Sequence, residues 1–373
     1  MTLRIAPISG EQHLAFTKSL PSVSFLQTPA WGSVKADWKS VSLGWFNDDQ
    51  LVGVALLLLR KLPKLSKWFG YIPEGPVLNW QGSTNEIGQA LQLLVDYSKQ
   101  ENIFLLRIGP PVQKFSWSSQ TMKAALANTE TTTLTSLTPD TTNQESIALC
   151  DYLKSAGWLE PHNVDGFGLG QPKFVYQLPL LGKSREDLLA GFNQLWRRNL
   201  KKAEKEGVQI ESGSRDDLVE FHKIYVETAN RDRFIPRPLG YFQKMWDAMQ
   251  TEDPARISLY LAKWQGKLIA STIMVRVGNH SWYSYGASST QGREARGSNA
   301  IQWQMIQDAL DSGASVYDLR GITPTLDPND SHVGLIQFKL GVGGQAVEYV
   351  GEWDYQISKF WSYLFSLLLR LRK

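Results

Sequence analysis

VSLGWFNDDQLVGVALLLLRKLPK (41–64) reads as strand, tight turn, strand, and ISLYLAKWQGKLIASTIMVRV (257–277) reads the same way. The breaks are Asn47-Asp48-Asp49-Gln50 and Trp264-Gln265-Gly266-Lys267. Short polar or Gly-containing breaks between apolar runs are the hairpin signal. The segments after the two hairpins also match. FGYIPEGPVL (69–78) and SWYSYGASS (281–289) give one short strand each. NEIGQALQLLVDYSKQ (85–100) is helical, with Ile87, Leu91, Leu94 and Val95 on one face. SNAIQWQMIQDALDSG (298–313) is helical, with Ser298 expected as N-cap and Gly313 as stop. IFLLRIGPP (103–111) and SVYDLRGI (315–322) close the two sets as strands. Gly53 matches Ala270 and Tyr71 matches Tyr285 at nearly one spacing, so the chain holds two copies of a ββ-β-α-β module.

Between the copies, residues 113–143 are polar and threonine-rich and read as an excursion or flexible loop. FVYQLPL (174–180) is a strand, REDLLAGFNQLWRRNLKKAEKEG (185–207) one long basic helix, and LVEFHKIYVETANRD (218–232) another helix. NRDRFIPRPLGYF (230–242) reads as a polar loop. Antiparallel strands followed by helix and strand are the layout of an acyltransferase-type domain, in which two central strands splay around an acyl donor. The expected fold is therefore α/β (α+β), with two tandem GNAT-like domains, each a mainly antiparallel mixed sheet flanked by helices. The expected boundaries are 1–165 and 166–355, with a C-terminal amphipathic helix over 356–373. Binding of acyl-CoA calls for a glycine-rich loop before the helix, whose N–H groups hold the pyrophosphate. QGREARGSNA (291–300) has the arginines, but its glycines fall out of register.

The chain has 373 residues, 42% hydrophobic and 20% charged, which is a core-forming composition rather than a disordered one. Cys150 is the single cysteine, which excludes an internal disulfide framework and a cysteine-cluster zinc site. Five histidines without HxxxH or HxH spacing offer no metal motif. A net charge of +3 is too small for a general nucleic-acid coat. MTLRIAPISGEQ (1–12) has no signal-peptide pattern, and no run of 18 apolar residues occurs, so the expected location is cytoplasmic. Fourteen tryptophans suit either large grooves or bulky cores. Two basic-apolar segments, VGVALLLLRKLPKLSKWF (52–69) and QISKFWSYLFSLLLRLRK (356–373), suit contact with the inner face of the plasma membrane, and the second equally suits a tail helix docked on its own domain.

An ordered set of blocks resembles the Fem family of non-ribosomal peptidyltransferases. The blocks are FLQTPAWGSVKADW (25–38), GYIPEGPV (70–77), LLRIGP (105–110), QPKFVYQLPL (171–180) and RRNLKKAEKEGV (197–208). SYGASS (284–289), SNAIQWQMI (298–306), YDLRGI (317–322) and GLIQFKLGVGG (334–344) complete it. They span nearly the whole chain and match the compact members that lack a coiled-coil arm.

The resemblance implies transfer of an amino acid from aminoacyl-tRNA to a peptidoglycan precursor, lipid II or a UDP-linked form, with no cofactor beyond the tRNA co-substrate and no metal. It implies Lys339, preceded by Phe338, in the donor channel, steadying an oxyanion or the tRNA end. It implies Lys35 and Trp38 at the acceptor. Where several members carry an acid before proline, this chain has Gly109 in LRIGP, so either Asp318, a water or the tRNA takes the amine's proton or no acid is needed at that point.

Other candidates rest on residue type. Arg198, beside Lys201 and Lys202, suits a pyrophosphate because a guanidinium pairs bidentately with phosphate. The plainer reading is a helix face paired with Glu204 and Glu206. Arg107 on the first closing strand joins the substrate-binding set. Tyr71 and Tyr285, at equivalent positions, can hydrogen-bond a ligand carbonyl or serve the core. Arg231 and Arg233, near Phe234, suit a tRNA acceptor arm. The competing functions are an acyl-CoA-dependent N-acyltransferase and a non-catalytic membrane-associated scaffold.

Overall fold

The computed structural model describes residues 3–63, 65–128, 131–161 and 170–370. Lys64, Arg372 and Lys373 of the basic segments lie outside the described residues, as does the side chain of Arg370. The chain divides into two compact units. One comprises 1–115, 141–173 and 348–373, and the other 116–140 and 174–347.

The first unit is built on a six-stranded sheet. Its order is Leu3–Pro7, Lys39–Asn47, Gln50–Lys61, Trp68–Ile72, Ile103–Ile108 and Trp353–Gln356. The hairpin closes with Asn47 opposite Gln50, and Asp48 takes the left-handed conformation the tight turn requires. Helix Thr84–Gln100 starts in a capping box between Ser83 and Glu86 and buries Ile87, Leu91, Leu94 and Val95, as its spacing predicts. Those side chains pack with Leu43, Trp45, Leu57 and Leu106 of the sheet. Trp45 Nε1 donates to Ala90 O at 2.9 Å and ties strand to helix.

The second unit repeats the module. Its sheet contains, side by side, Phe174–Pro179, Val316–Gly321, His280–Ser288, Lys267–Val277, Ile257–Trp264 and Gln209–Gly213. Trp264 faces Lys267 across a turn in which Gln265 and Gly266 both have positive φ. Helix Gly297–Asp311 packs on this sheet through Ile301, Met305 and Ile306.

Several expectations are corrected. Residues 113–143 are not a loop. They form strand Gln113–Ser118, helix Ser119–Ala127 and a short helical turn at Leu134–Ser136, and 116–140 pack with the second unit. Residues 185–207 form two helices, Arg185–Gly191 and Gln194–Lys205, because Asn193 caps the second by accepting from Trp196 N–H. Ser298 is not an N-cap: it lies inside the helix, which begins two residues earlier than expected, at Gly297, after Arg296 in the left-handed region. The polar stretch 230–242 ends in a helix, Leu239–Glu252. The units are also discontinuous. Residues 348–373 return to the first unit, where Trp353–Gln356 pairs antiparallel with Ile103–Ile108.

Trp353 is fully buried in the first unit's core. Trp353→Ala is expected to cost about 3–5 kcal/mol, read as a lower midpoint in chemical denaturation. An unchanged midpoint would show that the returning strand does not hold that core together.

Candidate active site

In the second unit, strands His280–Ser288 and Val316–Gly321 run parallel and pair only through His280–Val316, Ser281–Tyr317 and Trp282–Asp318. Beyond that point each keeps a partner on its outer side alone. The two central strands therefore part. In the first unit the equivalent strands stay paired from Trp68 to Ile72, and Gly109 N–H continues the closure by donating to Gly75 O. Only the second copy opens.

At the opening, strand Val316–Gly321 is irregular between Asp318 and Gly321, and Arg320 has φ 63°. A non-glycine residue in this region is strained, a recurrent feature of functional sites. The irregularity turns two successive carbonyls, Arg320 O and Gly321 O, onto one partner. That partner is Lys339 Nζ, at 3.3 and 2.6 Å. Lys339 sits on helix Val333–Leu340 and is 3% exposed. Burial pushes its ammonium down to about 7; Asp318 opposes the shift and Arg320 adds to it.

Asp318 is 1% exposed. It accepts from Gln177 Nε2 at 3.0 Å and from Arg320 N–H at 2.5 Å, and His280 Nε2 stands 3.4 Å away. Burial alone raises its carboxyl, but His280, Arg320 and Gln177 outweigh this and hold it below the usual carboxylate value. His280 is stacked on Trp282, with ring centroids 4.0 Å apart.

Phe338 packs on Trp196 at 4.9 Å, and Trp196 Nε1 donates to Phe338 O at 2.9 Å. The indole lies where any side chain at position 341 would stand, so Gly341 is required beneath it. Helices Gln194–Lys205 and Val333–Leu340 are thus locked together, fixing the backbone that carries Lys339. On the same basic helix, Arg197 Nη1 is held by Ala190 O and Phe192 O. Arg198, Lys201 and Lys202 are exposed and make no ion pair among the described residues.

Tyr285 lies beyond the parting point. Its hydroxyl is 3.0 Å from that of Tyr241, in an aromatic group with Tyr225 and Phe242. Arg231 is tied to Ser288 and Asp232, while Arg233 is exposed at the helix end in the left-handed region.

The first unit holds a separate buried network. Arg107 makes a bidentate pair with Asp354 at 2.7 and 2.8 Å and stands 3.6 Å from Glu352. Tyr71 OH and Gln171 N–H both donate to Glu352 Oε1. Burial raises Glu352, and Arg107 offsets this only in part. Burial and then Glu352 push the Tyr71 hydroxyl well above its usual value. Burial opposes the Arg107 charge, but Asp354 and Glu352 hold it protonated. The Glu352 side chain occupies the space that a side chain at Gly109 would need. Trp38 lies 6.5 Å from Tyr71, with the Arg60 guanidinium over its ring. Lys35 is set over Trp31 instead.

The structure thus brings Lys339, Phe338 and Asp318 together in one unit and Trp38, Tyr71 and Arg107 together in the other. Glu352, Asp354, His280, Gln177 and Trp196 were not read from sequence. Glu352 and Asp354 follow Arg107 by about 250 residues, and only strand pairing joins them.

Removing a buried, paired charge's partner costs about 3–5 kcal/mol, so Asp354→Asn is expected to lower the denaturation midpoint strongly. Lys339 binds fewer protons folded than unfolded between about 7 and 10.5, so wild-type stability rises with pH across that window. Lys339→Met is therefore expected to raise the melting temperature more at pH 6 than at pH 9. An equal change at both would place the ammonium in water.

The FemAB family model matches residues 8–265 and 262–370. A lipid II:glycine glycyltransferase of Staphylococcus aureus (strain COL) is 24% identical, over 94% of this chain and 92% of that protein. The crystal structure of FemX superposes with TM-score 0.79 at 22% identity, covering 97% of this chain and 99% of that one. A tandem GNAT protein from the clavulanic acid biosynthesis pathway gives TM-score 0.54 at 10% identity, covering 96% and 99%. The last two show the tandem GNAT-like fold expected from the repeat. With its family model matched over most of its length, the chain belongs to the FemAB family and is an aminoacyltransferase.

Proposed function

We propose that the chain moves an amino acid from the ester of an aminoacyl-tRNA to an amine on the stem or bridge peptide of a lipid-linked peptidoglycan precursor. The observation that carries this reading is Lys339, a buried cation held at the point where two parallel strands part. The name of the staphylococcal relative supports lipid II as acceptor.

The amine nitrogen attacks the ester carbonyl. The new C–N bond forms, the bond to the ribose oxygen breaks, and one proton passes from the amine to that oxygen. The ester already stores the free energy, so positioning and charge stabilisation supply the rate. An ammonium has three donors. Two of Lys339's meet Arg320 O and Gly321 O, and the third serves the oxyanion. Asp318, whose oxygens are already engaged, favours the charged form of Lys339 rather than taking the amine's proton. In this reading Arg198, Lys201, Lys202 and Arg233, all exposed, meet phosphates, Tyr285 meets the donor and Trp38 the acceptor, while Tyr71 and Arg107 are engaged by Glu352 and Asp354.

The test is transfer of labelled amino acids from individually charged tRNAs to purified lipid II. Product with one or a few of the small amino acids is expected, and none with any tRNA overturns the reading. Lys339→Met is expected to lower the rate about 10²–10³-fold, the usual loss for one oxyanion donor. An unaffected rate would mean that Lys339 does not meet the oxyanion.

A further inference from the structure

We propose that helix Lys359–Arg370 and the adjoining 60–67 loop form one surface that docks the first unit on an anionic lipid bilayer. The proposal takes from the proposed function only that the acceptor is lipid-linked.

The helix is seated by one side. Trp361 and Phe365 pack against Leu62, Phe69, Phe104 and Leu105, with Phe365 5.2 Å from Phe69 and 5.6 Å from Phe104. Ser362 Oγ donates to Phe104 O. The opposite side is apolar as well. Phe360, Tyr363 and Leu367 recur at the i, i+3, i+7 spacing of one helix face. Phe360 is 67% and Tyr363 66% exposed, and Leu364 and Leu367 beside them are half-buried. A soluble helix ordinarily turns polar residues outward. This one is apolar on both sides, so its outer face lacks a cover among the described residues.

The second element meets the first through Leu62. Leu62 belongs to the cluster that seats Trp361 and Phe365, and it opens a turn in which its N–H donates to Lys67 O and its C=O accepts from Leu65 N–H. Leu65 is exposed at that turn. Arg60 lies over Trp38, and Lys61 and Lys39 lie over Trp68. Neither 55–73 nor 356–373 contains an aspartate or glutamate, apart from Glu74 just beyond the first. Exposed aromatics and leucines, with Arg60, Lys61 and Lys39 on the adjoining Trp38 and Trp68 and Asp37 the acid beside them, complement an anionic interface. The helix has 12 residues, about 18 Å at 1.5 Å per residue, against a hydrocarbon core of about 30 Å. It lies on the bilayer rather than across it.

The experiment is flotation of the full chain with phosphatidylcholine vesicles and with mixed phosphatidylglycerol–phosphatidylcholine vesicles, without tRNA or precursor. Its result therefore stands whether or not the transfer reading holds. Preferential binding to the anionic vesicles, weakened by salt, is expected. Phe360→Ser/Tyr363→Ser is expected to weaken it at least about tenfold, as burial of two aromatic side chains would, with the melting temperature kept. Phe360→Leu/Tyr363→Leu restores it, and Lys61→Glu/Lys67→Glu removes the anionic preference. Overturning results are no anionic preference in the wild type, or serine and leucine variants that bind alike. A wild-type dimer that the serine variant dissociates would assign the face to a second copy, and loss of tRNA binding would assign it to RNA. Either also overturns the proposal.

Discussion

The site depends on one buried charge. Lys339 is removed from water yet kept by two backbone carbonyls and a carboxylate, and each of these needs something specific from the chain. The carbonyls converge because Arg320 accepts a left-handed conformation. The carboxylate stays ionised because His280, Arg320 and Gln177 surround it. The lysine backbone is fixed because Trp196 fits over Gly341 and bonds Phe338 O. Desolvating an ammonium is costly. The fold tolerates this at the point where the neighbouring strand turns away.

The duplication has diverged along the same axis. The first copy keeps its parallel strands paired and fills the corresponding region with Tyr71, Arg107, Glu352 and Asp354. The second lets them part. Tyr71 and Tyr285 match in sequence, but one is committed to a carboxylate and the other to an aromatic group beyond the opening. Gly109 fits this picture: the absence of a side chain there leaves room for Glu352, just ahead of strand Trp353–Gln356.

Much of the fold was legible because it is written locally. Period-two and period-3.6 patterns, and turns such as Gln265-Gly266, gave both hairpins and both crossover helices. What failed was also local in kind. Residues 113–143 looked like a loop because the threonine-rich run follows a helix, Ser119–Ala127, of only nine residues, and Asn193 broke a helix whose composition looked continuous. At the site, Lys339 was legible only through the ordered blocks. Its burial was not, since a single Phe-Lys pair carries no periodic signal. The carboxylates at 352 and 354 were invisible because they reach Arg107 by strand pairing across most of the chain.

The central claim is that Lys339 is a desolvated cation aimed at the donor's developing oxyanion. Its most direct measurement is an NMR titration of ¹³Cε-labelled lysine, run with and without a phosphonate analogue of the tetrahedral intermediate on a short CCA-ended RNA. The account predicts one lysine, absent in Lys339→Met, titrating near 7 in the free protein and shifted upward by the analogue's negative charge. A Lys339 resonance that titrates near the ordinary lysine value of about 10.4 and ignores the analogue would contradict it.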